Sequence, residues 1–315
     1  MSAHHLTTFH GLPVFDLPSA DASEPLPAAD SVAWRLRRDW DDEEDFDGLW
    51  RRFLDAVRTE DVRALVIGAW DEEMYEDDAL APVLQAVLDA KDRFPRLRAF
   101  FLADLESEEN EISWIQQQDL APLLEAFPTL EELGARGAHR VFTPVQHASL
   151  RRLRLESGGL AKEVVHGVSE SKLPALEYLE LWLGSENYGG DTTVADLAPL
   201  LAGDRFPALR HLGLQDSEIQ DEIAAAVAAA PVVPMLTSLS LSMGVLTDTG
   251  AEALLHGQPL THLERLDLHH HFLSDGMMQR LREALEPAEV ELDLSGQSTP
   301  HQWNDQVWHY VAVSE

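Results

Sequence analysis

The line LRHLGLQDSEIQD from Leu209 returns as LTSLSLSMGVLTD from Leu236 and as LERLDLHHHFLSD from Leu263. All three obey L-x-x-L-x-L-x-x-x-x-[LI]-x-D, and each starts 27 residues after the one before. A unit this short cannot bury its own apolar face, so it must stack against copies of itself and build one continuous core. Within L-x-L the two leucines point to the same side of an extended strand, and the residues between and after them point to the other. The period therefore predicts a solenoid of parallel strands whose leucines face inward.

Weaker copies extend the pattern in both directions. FPTLEELGARG carries Leu130, Leu133 and Ala135; ASLRRLRLESG carries Leu150, Leu153 and Leu155; LPALEYLELWLG carries Leu176, Leu179 and Leu181. Upstream, FPRLRAFFLAD places Leu97, Phe100 and Leu102, and DVRALVIGAW places Val62, Leu65 and Ile67. SVAWRLRRDW is a first copy through Trp34 and Leu36, and PAEVELDLSG a last one through Leu292 and Leu294. The starts fall near residues 31, 62, 97, 130, 150, 176, 209, 236, 263 and 289. The 20-residue step after 130 is too short to hold a full helix.

Most of the intervening segments read as helices. DALAPVLQAVLDA from Asp78 has apolar residues at 80, 83, 84, 87 and 88, one helical face. DLAPLLEAF, TVADLAPLL, DEIAAAVAA, TGAEALLHG and DGMMQRLREAL behave alike. Several open on Asp or Thr, whose oxygens satisfy free backbone N–H groups, and many stop at F-P or P-x-x-L, where proline ends a helix. The expected fold is α/β: a leucine-rich-repeat solenoid, an arc with its parallel sheet on the concave face and helices on the convex face, coiled right-handed. A doubly wound sheet is the alternative, but it does not explain the fixed period. Residues 31–296 form the solenoid of about ten repeats. Residues 1–30 and 297–315 read as caps that cover exposed edges.

The helix-bearing repeat, with LTDTGAEAL from Leu246, resembles the ribonuclease-inhibitor-like class of leucine-rich repeats over nearly the whole chain. The ends HLTTFHGLPVFDLP and WHYVAVSE also resemble those of a bacterial family of uncharacterised leucine-rich-repeat proteins. The resemblance implies the fold and supplies no activity. The class places Asn or Cys after the strand to bond the turn. Here those positions hold Ser217, Gly244 and His271, which puts a regular side-chain ladder in doubt.

Composition narrows function. With no cysteine there are no disulfides, Cys-based zinc sites or thiol chemistry. The first residues do not read as a signal peptide, and no apolar stretch reaches membrane-spanning length, so a soluble cytoplasmic protein is expected. A formal charge of −33, with lysine only at Lys91, Lys162 and Lys172, lacks the basic footprint that nucleic acid or anionic membrane requires.

The candidate site is the concave floor. Its basic positions are Arg35, Arg37, Arg38, Arg136, Arg152, Arg154 and Arg265. Its acidic positions are Asp104, Glu132, Glu156, Glu180, Asp216, Asp267, Glu291 and Asp293. Seven against eight is near neutral, so most of the negative excess belongs to loops, helices and the outer face, in runs such as DWDDEEDFD (39–47) and ESEEN (106–110). Phe101, Tyr178 and Trp182 add aromatics. Arg and aromatic residues dominate binding hot spots. The partner-binding candidates are Arg136, Arg152, Arg154, Tyr178, Glu180, Trp182, His211, Asp267 and His269. The competing reading is that Arg and Glu of neighbouring strands only pair with each other. Phe101, beside Val66 and Ala99, is expected under the N-terminal segment.

Chemistry-bearing motifs are set aside. In His269-His270-His271 neighbours alternate faces, so three adjacent imidazoles do not converge on one ion; a solvated rim is expected. DDEED near residue 41 lacks the spaced ligands and Gly of a calcium loop and reads as a helix start. Phosphate-loop, nucleophile-elbow and zinc-helix motifs are missing from the sequence. The expectation is a non-enzymatic module that binds a protein or peptide and uses no cofactor or metal. The alternatives are an acidic inhibitor that sequesters a basic protein, or a regulatory subunit of an enzyme.

Overall fold

Each L-x-L line becomes a strand, and the strands stack in chain order in the computed structural model, which describes residues 4–22, 25–38, 44–71, 74, 76, 78–304 and 306–314. Strands β1 (Thr8–Phe9) and β2 (Leu12–Asp16) form an antiparallel hairpin. Parallel to β2 follow β3 (Ala33–Leu36), β4 (Ala64–Ile67), β5 (Ala99–Leu102), β6 (Glu132–Arg136) and β7 (Arg152–Glu156). The series continues with β8 (Tyr178–Gly184), β9 (His211–Ser217), β10 (Ser238–Ser240), β11 (Arg265–Asp267) and β12 (Glu291–Asp293). A separate hairpin, β13 (His301–Trp303) with β14 (Gln306–Trp308), comes last.

Register converts the sequence repeat into a column. Leu133, Leu153, Leu179, Leu212, Leu239 and Leu266 are neighbours strand to strand, and all six are fully buried. Each such burial stabilises by roughly 1.5–3 kcal/mol. The second column runs through Leu155, Leu181 and Leu214, equally buried.

Helices α1 (Phe46–Ala56), α2 (Ala81–Asp89), α3 (Ala121–Ala126), α4 (Lys162–Glu170), α5 (Val194–Leu201), α6 (Gln220–Val227), α7 (Asp248–His256) and α8 (Asp275–Leu285) close the convex side. The α1 cap is Asp45, the last residue of DDEED, whose Oδ1 accepts from Gly48 N at 2.8 Å; residues 41–43 of that run lie outside the described residues. No helix separates β6 from β7, as the 20-residue step requires. The connecting loop instead lies directly on α4: a Cβ on Gly167 would sit 1.7 Å from the Phe142 carbonyl oxygen, so only glycine permits that approach.

The final Asp of the repeated line ties one unit to the next. Asp221 Oδ1 accepts from Thr247 N at 2.8 Å and from Gly250 N at 3.0 Å, and Asp248 Oδ1 accepts from Ser274 N at 2.8 Å. Asp275 Oδ1 receives Gln297 Nε2 at 3.2 Å. The turns also repeat. Asp216, Met243 and His270, at the same place in three units, have φ of 55°, 68° and 52°. The chain thus leaves the sheet through one left-handed residue, a conformation costly outside glycine.

Both ends of the chain double back onto the sheet. The β1 hairpin lies over the first strands, where Leu6, Phe9, Leu12 and Val14 cover Ala33, Ala64, Val66, Ala99 and Phe101. Phe101 is buried there, edge-on to Phe9 at 5.9 Å. The last residues run along the strand exits: Ala312 N donates to Met243 O at 2.7 Å, and Val313 N donates to Asp216 Oδ1 at 3.0 Å. No helix among the described residues is long and apolar enough to cross a membrane.

Two substitutions separate core from ladder. Leu212→Ala is expected to cost about 2–5 kcal/mol and Asp248→Ala about 1 kcal/mol, read by urea denaturation followed by circular dichroism.

Candidate functional site

Strand pairing arranges the concave side chains in rows. One row reads Glu132, Arg152, Tyr178, His211, Ser238, Arg265 and Glu291, from β6 to β12. The next reads Gly134, Arg154, Glu180, Gly213, Ser240, Asp267 and Asp293. In the first row the Arg152 guanidinium lies 4.2 Å over the Tyr178 ring, and the other face of Tyr178 stacks on His211 at 4.0 Å. His211 Nδ1 meets Ser238 Oγ at 2.6 Å. Burial pushes the His211 imidazole down to about 4, so it is neutral near pH 7. Burial, then Glu180, pushes the Tyr178 phenol well up.

Beneath these runs a chain of buried charge. Arg35 bonds Asp16 and reaches Asp104 at 2.9 Å; Asp104 also lies 3.9 Å from Arg136. Arg136 Nε donates to Glu156 Oε2 at 2.7 Å. Arg154 pairs with Glu156 at 2.5 Å and with Glu180 at 3.2 Å. Glu180 also accepts from Trp182 Nε1 at 3.0 Å and from the Tyr178 hydroxyl. Removing one partner from such a chain would leave a buried charge uncompensated, at roughly 3–5 kcal/mol.

The N-terminal segment plugs into the same chain. Leu6 N donates to Asp104 Oδ1 at 3.0 Å, His5 Nε2 lies 3.1 Å from Glu109, and His10 Nδ1 meets Glu132 at 3.0 Å. The neighbouring carboxylates, Asp104 first and then Glu109, raise His5 to about 9. Burial alone would raise Asp104; its bonds to His5 and Arg35 outweigh that and hold it below the usual carboxylate range.

The nine expected residues therefore divide. Arg152, Arg154, Tyr178, His211, Asp267 and His269 reach the concave surface, whereas Arg136 and Glu180 are buried inside the ionic chain. Trp182 is 6% exposed, packed with Ile112, Met243 and Val313 under the C-terminal segment. The pairing of Arg with Glu across strands, weighed as the competing reading, is present: Arg152 with Glu132 at 3.4 Å, and Arg265 with Glu291 and Asp293.

The histidine run is a partial correction. His269 Nδ1 bonds Asp267 at 2.8 Å on the concave side, and His270 Nε2 bonds Tyr310 O at 3.1 Å. His271, expected at a solvated rim, is instead fully buried; it accepts from Leu273 N at 3.2 Å and bonds Leu294 O at 3.1 Å. It thus supplies the turn-bonding side chain that the repeat position calls for. Asp267, His269 and Asp293 bring three ligand-type atoms within 4.8 Å of one another, a geometry that could hold a cation. The Arg265 guanidinium, 3.6 Å from Asp267 and 3.4 Å from Asp293, already supplies positive charge there.

Sequence reasoning did not place Leu6, His10 and Gly134 at this site. The signal for the cover was present: the first strands carry Ala33, Ala64, Val66 and Ala99 where the middle strands carry Arg, Glu and Tyr.

No family model and no curated protein matches the chain. A crystal structure of a Bacteroides fragilis protein, determined as a structural-genomics target, shares the architecture with a TM-score of 0.74. The two are 33% identical, over 79% of this chain and 70% of that one. The chain belongs to the same family as that protein. The kinship carries architecture and no chemistry.

Two titrations check the site. The stability His5 contributes is complete below about pH 6.5 and is lost as pH rises through about 9, because its folded pKa is raised. His211 acts in the opposite sense: its contribution is complete above about 6.5 and is lost as pH falls toward about 4. NMR titration of the ring protons should find those two midpoints, and a His211 midpoint near 6.5 would contradict its packing. Separately, Trp182→Ala should free the C-terminal segment, seen as faster carboxypeptidase trimming of residues 309–314.

Proposed function

We propose that the protein is a non-enzymatic interaction module that holds a protein or peptide segment against its concave sheet. The observation that carries this is the chain's own N-terminal segment. Residues 4–11 cross the concave face as a bound segment would: Phe9 is an apolar anchor against Phe101, the Leu6 backbone N–H is captured by Asp104, and His10 is paired with Glu132. Among the described residues, the N-terminal segment does not extend over the same face past β6.

There the surface offers Arg152, Tyr178 and His211 in one stack, with Arg265, Asp267 and His269 beyond. Arg and Tyr suit recognition because they present large rigid contact area with polar edges. The acids and bases of this face neutralise one another, an arrangement for positioning a partner rather than for moving protons. The helix-bearing repeats, similar to the ribonuclease-inhibitor-like class, fit a rigid curved scaffold for such binding.

Quantitative affinity capture tests the reading. Recovery of a specific partner should fall about thirtyfold with Tyr178→Ala, the equivalent of about 2 kcal/mol, and should hold with Arg280→Glu on α8. Equal recovery by both variants would remove the concave face from the binding surface.

A further inference from the structure

Where the N-terminal segment ends its crossing it leaves a cavity of about 500 Å³, walled by Leu6, Phe9 and His10 on one side and by Phe101, Arg152 and Arg154 on the other. We infer that this cavity takes the C-terminal carboxylate of a bound peptide whose last side chain is apolar. The inference rests on the concave-face reading and gives the occupant a chemistry and a direction.

Three observations converge. First, the cavity holds unspent donors. Arg152 and Arg154 sit two residues apart on one face of β7, about 7 Å from each other. The ion pair of Arg152 runs from Nε to Glu132 at 3.4 Å, and those of Arg154 run from Nε to Glu180 at 3.2 Å and from Nη2 to Glu156 at 2.5 Å. Both side chains line the cavity and keep 50% and 35% of their exposure, which leaves guanidinium N–H groups within reach of a ligand. A planar guanidinium fork matches a carboxylate. Glu132 does not oppose this, since Arg152 pairs with it and its Oε2 is hydrogen-bonded to His10.

Second, the cavity is the end of a path. A segment lying across the strands from β12 toward β7 meets the N-terminal segment, which occupies the next stretch of sheet. Chain that stops there presents its terminus, with its last side chain against Leu6, Phe9 and Phe101. Third, the floor is polar along its length. The far end, at β11 and β12, holds Asp267, Glu291 and Asp293 around a single Arg265. A peptide with its carboxylate at β7 places its amino end among those acids. Four strand spacings of about 4.8 Å separate β7 from β11, which about six extended residues span.

The probe is a fluorescein-labelled hexapeptide, Lys-Ser-Ala-Ala-Val-Leu, as the free acid and as the C-terminal amide, measured by anisotropy at low salt. The acid should bind at least tenfold more tightly than the amide, and Arg152→Gln should abolish that ratio while the convex Arg280→Gln preserves it. Arg152 is half exposed, so its substitution leaves the buried ionic chain intact. Competition by 4-methylpentanoate should be at least a hundredfold weaker than by the unlabelled peptide; competition at equal concentration would replace the peptide terminus with a small-acid site and overturn the inference. Equal affinity of acid and amide that falls in Tyr178→Ala overturns the carboxylate site and leaves the concave-face reading standing. Equal affinity that Tyr178→Ala does not change, or no binding of either peptide, overturns the site and counts against both.

Discussion

Charge taken out of water must be matched, and that requirement organises the concave half of this molecule. Asp104, Arg136, Glu156 and Glu180 are all buried. None could be there alone at a tolerable cost. Each is therefore fixed by the next, so that four strands and the exit of β5 contribute to one continuous line of alternating sign from Arg35 to Glu180. The line decides where the N-terminal segment lies, because Asp104 still has capacity for the Leu6 amide. It also decides how Tyr178 and Trp182 are turned, because Glu180 accepts from both. The leucine columns on the other face permit this arrangement without specifying it.

The architecture was legible because a column of leucines is a local pattern repeated many times. A strand of period two and a helix of period 3.6 leave marks that survive single exceptions, and even the short step after residue 130 showed as a missing helix. The concave row was legible for the same reason: knowing which side Leu153 faces fixes which side Arg152 and Arg154 face. What could not be read was how far each row stays open. Trp182 and Arg152 look equally available in the sequence, yet one is packed under Val313 and the other is not. That difference is made by segments distant in sequence, the C-terminal one more than a hundred residues away, and nothing in the local pattern reports them.

His271 shows a different kind of failure. Its position was correctly matched to the turn-bonding site of the repeat, but an imidazole in a run of three reads as surface. A ring with two nitrogens can bridge the turn and the next strand together, which satisfies two buried backbone groups with one side chain. The same logic explains Asp221 and Asp248, whose carboxylates reach across to the following unit. The repeat thus keeps its ladder while changing the rungs.

The doubling back of both ends has a consequence for how the molecule comes apart. In an ordinary repeat array each unit touches only its neighbours, so fraying can begin at either end and spread one unit at a time. Here the amide of Leu6 is held 98 residues away at Asp104, and that of Val313 is held 97 residues away at Asp216. The outermost units cannot loosen without releasing contacts in the middle of the array. The interior repeats therefore share the fate of the terminal ones, and a chain built from separable parts should melt as a single body.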